Sequence, residues 1–441
     1  MAGPEDALQP PSLWAAMAPP APHLPRLEGE RTADVAIVGA GFTGLSAALH
    51  LLETGADVAV VEAKDVGSGA SGRNNGQVIP TLSRADPDDM IAAFGPDPGE
   101  RFVALVRDSA QLLFDLVRRH GIDCDAEQTG WVQPAHSPGR IRVSERRCKA
   151  WADRGAPVEL LDRDAISRLL GSEAYYGGWL NRTGGHVNPL ALARGLARVV
   201  QARGGTVFVR SPATEMSRET SGWRVSTAAG TLRSRALVIA TNAYTVGVLP
   251  DLRRSVVPMT SWQMATTPLS AEVRASVIPG RQAVSDTRGD LRFFRYTRDG
   301  RLVTGGALML PVNGPERLKR LVGRRLRETF PQIGEVGFDY VWNGIIGMTA
   351  DKLPHVHRLG ADGYAWTGCN GRGVALAISL GRELARAVLG EDARNLALPF
   401  SPLKPQPFYE IARRVAPFML GAYRWRDARE IALIAQAGDP S

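Results

Sequence analysis

Two rhythms of apolar residues run along the chain: short unbroken runs, and longer stretches in which apolar positions recur every three or four residues. Residues 34–38 (DVAIV) and 58–62 (VAVVE) are unbroken runs, each expected to form a buried parallel strand. Between them, residues 45–53 carry helical spacing and stop at Gly55, so strand, helix and strand open a doubly wound sheet. Residues 86–119 are expected to be one amphipathic helix built on Phe102, Leu105, Leu112, Leu113 and Leu116. Residues 188–203 are expected to be another, with Asn188 as cap, Pro189 in the first turn and Gly204-Gly205 as the stop. Strands are expected at 206–210, 223–227 and 236–240, and a hairpin at 292–309 turning on Asp299-Gly300. The last strong helix, 374–389, is opened by Gly371 and Gly373.

Length and composition narrow the classes. A chain of 441 residues is too long for one simple core and fits two interleaved domains. Apolar residues make up 44% and charged ones 22%, enough to bury a large core without staples. Cys124, Cys148 and Cys369 lie far apart and form no CxxC pair, which argues against disulfides and thiolate metal sites and suits a reducing cytoplasm. The net charge of +8 favours anionic partners, but its arginines are scattered and form no stripe with aromatics, so nucleic acid is not expected. Acids and prolines break the N-terminal stretch, unlike a secretory signal. No apolar run approaches the roughly 20 residues needed to span a bilayer. A soluble, cytoplasmic protein is expected.

Candidate chemistry begins at Gly39-Ala40-Gly41-Phe42-Thr43-Gly44, between the first strand and the first helix. The first glycine permits a tight turn, the second lets the backbone approach a pyrophosphate, and the third lets helix and strand pack closely. The pyrophosphate then rests on free N–H groups at the helix start, where Phe42 and Thr43 stand. Glu62 ends the next strand eighteen residues beyond Gly44, where an acid hydrogen-bonds ribose hydroxyls, and Ala63 follows it. These features together mark a dinucleotide site, which FAD and NAD share.

Three segments turn the choice towards FAD. Residues 66–77 (VGSGASGRNNGQ) offer N–H and hydroxyl donors at Ser68, Ala70, Ser71, Asn74, Gly76 and Gln77, and Arg73 can reach a phosphate. A plain surface loop is the other reading there. Residues 236–242 (ALVIATN) end in the small residues Ala240, Thr241 and Asn242, which allow close approach of a dinucleotide. Residues 368–373 (GCNGRG) place Gly371, Arg372 and Gly373 before a helix starting at Val374, whose N-terminus can stabilise negative charge on a reduced flavin.

In this order the segments resemble the D-amino-acid oxidase/glycine oxidase superfamily of FAD-dependent oxidoreductases, and within it the gamma-glutamylputrescine oxidoreductase-like branch. Ser12-Leu13-Trp14 matches that branch's SxW arm, and residues 69–77 match its GASGRNxGQ loop. Residues 185–189, 240–242, 295–306, 342–354 and 368–374 match its GxVNP, ATN, R-x-x-DGRLxxGG, WxGxxxxTxDxxP and GxxGxGV segments. The match covers residues 10 to 430. It implies a Rossmann-like α/β FAD-binding domain of residues 32–85, 186–245 and 340–392, in which Gly344 and Gly347 face the cofactor. Interleaved with it would be an α+β substrate domain on a mainly antiparallel sheet, residues 86–185 and 246–339. An arm (1–31) and a C-terminal extension (393–441) complete the expected division. The implied chemistry is hydride transfer from a carbon bearing nitrogen to flavin N5, giving an imine that hydrolyses, with O2 or another acceptor reoxidising the flavin.

Two departures from the resembling proteins matter. Amino-acid oxidases of the superfamily hold the substrate carboxylate with an arginine where this chain has Ile346, so an amine, or an acid held by another cation, is expected. Relatives that attach FAD covalently use a cysteine in a segment that here reads Gly347-Met348-Thr349, so non-covalent FAD is expected.

Single residues leave alternatives open. Arg295 alternates with Phe293 on one face of the hairpin strand and serves either a substrate anion or a salt bridge within the sheet. Trp262, Trp342 and Trp366 form part of an aromatic amine pocket or pack the core. His355 and His357 share a strand face but show no third ligand, so no metal is expected. Cys369 reads as a small packing residue. Residues 408–425 mix Phe408, Ile411, Val415 and Phe418 with Arg413, Arg414, Arg424 and Arg426; with Pro417 interrupting, packing on the body is favoured over membrane contact. No general base stands out, and oxidation of a neutral amine needs none. The expected function is oxidation of a small amine or amino-acid derivative with formation of H2O2. The alternatives are a dehydrogenase passing electrons to a quinone or carrier, an NAD-binding dehydrogenase, and a non-catalytic FAD-binding protein.

Overall fold

A computed structural model of the chain describes residues 10–245, 247, 249–290, 292–310 and 312–437. The expected arm and C-terminal extension therefore lie in part, at 1–9 and 438–441, outside the described residues.

Two eight-stranded sheets organise these residues. In the first, Gly29–Val38 is central, parallel to Gly230–Ile239 on one side and to Val58–Val61 on the other. Thr206–Phe208 extends it beyond Val58–Val61, and Gly363–Thr367 and His355–Arg358 extend it beyond Gly230–Ile239. The antiparallel strands Gly222–Ser226 and Glu215–Glu219 hang on the first half of Gly230–Ile239. Every residue of Val58–Val61 is buried, which accounts for its unbroken apolar run. The helices Phe42–Leu52, Pro189–Ala202 and Val374–Val388 share the large core on one face of this sheet. A smaller core, including Leu27, Val38, Trp223 and Leu237, lies on the other.

The second sheet is mainly antiparallel, ordered Phe338–Met348, Val257–Thr266, Leu302–Gly306, Phe293–Tyr296, Ala283–Ser285, Trp131–Pro134, Gly178–Asn181 and Val158–Leu161. The helix Gly314–Thr329 covers one face, burying Leu318, Val322 and Leu326 against Met264, Phe294 and Leu302. Phe338–Met348 crosses the expected boundary at 340. Its Phe338 and Val341 pack into this second core, and ten of its residues register against Val257–Thr266. A two-stranded ribbon, Gln77–Val78 with Gly185–His186, runs between the two sheets.

The expected helix over 86–119 is two. Asp86 and Asp89 form a capping box that starts Pro87–Phe94, and Gly95 (φ +88°) ends it before Pro96–Arg119 begins. Proline disfavours helical geometry in the preceding residue, and the positive φ at Gly95 is one that glycine accepts. The expected cap at Asn188 is present, accepting a hydrogen bond from Ala191 N at 3.1 Å. The hairpin turns at Gly300 (φ +79°). Among the described residues no helix is long and apolar enough to cross a membrane.

Candidate functional site

The turn at 39–44 is built from contacts that no side chain permits. Gly39 has φ +109°, and a Cβ there would lie 2.9 Å from the Ala240 carbonyl oxygen. A Cβ on Gly41 would meet Ser71 Oγ at 2.8 Å, and one on Gly44 would meet the Gly39 carbonyl oxygen at 2.0 Å. The ends of two parallel strands and the short turn Ala70–Gly72 thus converge on the start of Phe42–Leu52. Phe42 N donates to Ser71 Oγ at 3.0 Å, while the amides of Thr43 and Gly44 are first-turn donors without a preceding helical carbonyl. That is an anion cradle. Trp366 Nε1 donates to Thr43 Oγ1 at 2.9 Å and pins the helix to the strand Gly363–Thr367.

Glu62 stands where a ribose would follow the pyrophosphate. Its carboxylate accepts from Ala40 N at 2.9 Å, Lys64 N at 3.0 Å and Ser68 Oγ at 3.4 Å. Burial raises this carboxyl above its ordinary value, and the hydrogen bonds pull it back only in part. Ala63 beside it is exposed. Free amides next to a shielded carboxylate fit a dinucleotide.

A second group of candidates gathers beyond Ala240. Thr241 Oγ1 pairs with Thr245 Oγ1 at 2.6 Å, and Asn242 takes φ +43° with its Oδ1 buried and unpartnered. A Cβ on Gly347 would strike that oxygen at 2.4 Å, and one on Gly344 would press the Arg73 stem at 3.1 Å. Arg73 Nε donates to Ser68 O at 2.6 Å. Gly371 (φ +86°) has only Ile346 Cδ1 near its missing side chain, at 3.8 Å, and Gly373 caps the helix that begins at Val374. The two groups are continuous through 71–73 and 240–242, so they form one extended groove wall.

Other candidates are joints. Asn74 donates to Ala70 O and Ser71 O and accepts from Gly76 N at 2.7 Å, which shapes the loop itself. Gln77 Nε2 donates to Val284 O and Phe294 O of the second sheet. Arg372 turns inward to Thr81 and Leu82 O, with its guanidinium 4.7 Å from the Trp131 ring; burial lowers it to about 9.

The substrate-side candidates divide by strand alternation. Gln263 faces Trp342, Ser261 faces Gly344 and Met259 faces Ile346 across the ladder, so these six share one sheet face. Trp342 Nε1 donates to Arg73 O at 2.9 Å, which shows that this face looks at the 66–77 loop. Trp262 lies between them in sequence and therefore points to the opposite face, against the core beneath Gly314–Thr329. It is displaced from the pocket by one residue of register. Trp342 is on the right face but sealed: its ring meets Trp14 edge-on at 5.6 Å.

Arg295 forms neither expected interaction. It is fully buried, donating to Asn75 O at 2.9 Å, Tyr296 O at 3.0 Å and Val187 O at 2.8 Å, and touching His186 Nδ1 at 3.3 Å. Its guanidinium stacks 4.5 Å over Trp14. Burial lowers it to about 9, and backbone carbonyls take the fork that a substrate anion would need.

Comparison with known proteins decides the family. The DAO family, described as FAD dependent oxidoreductase, matches residues 34–387. The chain belongs to this family. A gamma-glutamylputrescine oxidoreductase of Escherichia coli (strain K12) is 34% identical over 398 residues, spanning 90% of this chain and 93% of that protein. Among solved structures, glycine oxidase from Geobacillus kaustophilus superposes with a TM-score of 0.70 at 22% identity, covering 85% of this chain and 98% of that one. Iminodiacetate oxidase from Chelativorans sp. BNC1 gives 0.67 at 20%, covering 85% and 100%. As a DAO-family member the chain is an FAD-dependent oxidoreductase.

Sequence reasoning stopped one residue group short in this DAO-family chain. Tyr244 lies under Gly69, with ring atoms 3.6 Å from that glycine's missing Cβ; its hydroxyl accepts from Ile345 N at 3.0 Å, and Arg73 sits 5.9 Å over its ring. It joins the 66–77 loop to the strand Phe338–Met348. The aromatic two residues after Asn242 was the available signal. His355 bonds Asp351 and Ser401, and His357 bonds Ser401 O and Thr367, so both rings serve local structure. Burial raises the Cys369 thiol, which keeps it a packing group.

Proposed function

We propose that the chain oxidises a small secondary or primary amine, or an amino-acid derivative bound without the usual carboxylate clamp, as the 34%-identical gamma-glutamylputrescine oxidoreductase suggests. FAD, when bound, supplies the acceptor for the electron pair and hydrogen of the substrate's C–N unit, giving an imine, with O2 taking the electrons as H2O2. The cofactor-binding residues are Gly39, Gly41, Thr43, Gly44, Glu62, Ser71, Arg73, Asn242, Gly347, Gly371 and Gly373. The observation that carries the substrate class is the sheet face that looks at this groove. Its partly accessible side chains, Met259, Ser261 and Ile346, are all neutral, and Arg295 is consumed by backbone carbonyls. A neutral wall binds an uncharged amine well and leaves a lone carboxylate unpaired. Ser261 is the polar group available to orient the amine.

The test is an anaerobic absorbance spectrum of the purified protein, repeated with gamma-glutamylputrescine, sarcosine, iminodiacetate, cyclic imino acids and both enantiomers of common amino acids. Bleaching by gamma-glutamylputrescine, whose terminal amine carbon bears no carboxylate, supports the reading. Bleaching by simple alpha-amino acids alone overturns it. Peroxide formed in step with turnover in air supports an oxidase; its absence, with a quinone restoring turnover, makes the chain a dehydrogenase.

A further inference from the structure

We infer that the outer face of residues 408–425 docks on an anionic lipid bilayer. The segment folds as the helix Tyr409–Val415, a turn at Ala416–Phe418, and the helix Met419–Ala437. It is firmly held. Tyr409 and Leu420 are buried, Arg424 donates to Asp290 Oδ2 at 2.5 Å, Asp427 accepts from Gly289 N at 2.8 Å, and Arg140 reaches Glu430. Within Met419–Glu430 polar side chains such as Asp427 thus turn inward while the apolar Met419 and Trp425 stand exposed.

The exposed apolar set recurs along the segment. Phe408, Ile411 and Val415 recur at three- and four-residue spacing along one side, and Phe408 is 79% exposed. Phe418, Met419 and Trp425 carry the band onto the next helix, with Trp425 64% exposed. Six large apolar side chains stand in solvent within eighteen residues, whereas ordinary surfaces carry them singly. Val312, 67% exposed, and Leu310 project from the neighbouring loop, whose Met309 approaches Gly421.

Charge selects the occupant. Arg253 and Arg254 line a depression of about 490 Å³ with Phe408, Glu410 and Ile411, and Arg413 and Arg414 stand in the last turn of the helix Tyr409–Val415. Arg413 pairs with Glu410, and Arg253, Arg254 and Arg414 against Asp251 keep the balance of these residues positive. A second copy docking across a twofold axis would bring these arginines against each other. Phosphate headgroups complement them while acyl chains take the apolar side chains. The helix Tyr409–Val415 packs against Val257–Thr266, so docking would bring the groove-facing sheet close to the bilayer.

The test is co-sedimentation of the full chain with vesicles of phosphatidylcholine mixed with phosphatidylglycerol, and with phosphatidylcholine alone. The expected result is salt-sensitive binding to the mixed vesicles. The pairs Phe418→Ser/Trp425→Ser and Arg413→Gln/Arg414→Gln should each lower partitioning about tenfold, with an unchanged thermal melt. Three outcomes would overturn the inference: no binding to mixed vesicles, binding by both paired variants equal to that of the wild type, or a wild-type dimer that Phe418→Ser/Trp425→Ser converts to monomer.

Discussion

The turn at 39–44 and the buried arginine at 295 both bond the 66–77 loop, the one at Ser71 and the other at Asn75, and each looked functional for a different reason. At the turn the chemistry is carried by backbone: amides, a tight bend and a close helix, with glycines required because Cβ atoms would collide with Ala240 O, Ser71 Oγ and Gly39 O. A backbone site leaves a mark in sequence that few other uses imitate. At Arg295 the same cation that could clamp a substrate is bound by Asn75 O, Tyr296 O and Val187 O. A side-chain role depends on what faces it, and spacing along a strand does not report that.

The sharpest way to break this contrast is at Gly44. Gly44→Ala puts a Cβ 2.0 Å from a carbonyl oxygen, so the turn must open and the purified protein should retain no FAD band. The control is Gly55→Ala, which meets nothing within 4 Å and carries only the strain of φ +83°. It should cost about 1 kcal/mol and keep the flavin. If Gly44→Ala binds FAD normally, the backbone account of the turn fails.

Arg295→Met tests the other region. Leaving three buried carbonyls unpaired should cost about 3 kcal/mol of stability, seen as a lower melting temperature, and Arg295→Lys should recover little because an ammonium lacks the planar fork. A raised KM with an unchanged melt would restore the substrate role and erase the contrast.

Glu62 sits between the extremes, a side chain doing work the turn has framed. Glu62→Gln should weaken FAD binding about tenfold, the worth of a charge-assisted hydrogen bond, measured by flavin fluorescence titration. Its carboxyl is raised by burial, so its contribution to apoprotein stability is complete below the ordinary carboxylate value and is lost as pH rises through the higher folded value. The same variant should therefore make the apoprotein slightly more stable at neutral pH. Loss of both affinity and apoprotein stability would contradict that sign.

What the sequence made legible follows the same division. The strands at 34–38 and 58–62, the helix after Asn188 and the hairpin at Gly300 were visible because local pattern and tertiary burial agree there. The break at Gly95 was missed because an amphipathic pattern runs across it, although Gly95-Pro96 was in plain view. Trp262 was misplaced because strand alternation needs the partner register, and only the pairing of Gln263 with Trp342 supplies it. Tyr244 escaped because its role depends on Ile345, a hundred residues away in the chain.

The smallest effect probes why the surroundings of Arg295 are structural. His186 is fully buried, 3.3 Å from the Arg295 guanidinium, with Arg281 O on its other nitrogen and Glu127 at 3.8 Å. Burial is the largest cause holding the ring neutral, and the Arg295 charge is the next, so its pKa lies well below 6.5. A depressed value means that folding excludes a proton the unfolded chain would take. Stability from this group is complete above pH 6.5 and is lost as pH falls below it, by at most about 1.4 kcal/mol per pH unit. His186→Gln should therefore narrow its melting-temperature gap from wild type between pH 7 and pH 5.5, by about 1 kcal/mol. In an Arg295→Met background the narrowing should shrink, because one of the two causes is gone. Parallel melting curves in all four proteins would mean that the imidazole does not sense the arginine, and the contact at 3.3 Å would lose its electrostatic meaning.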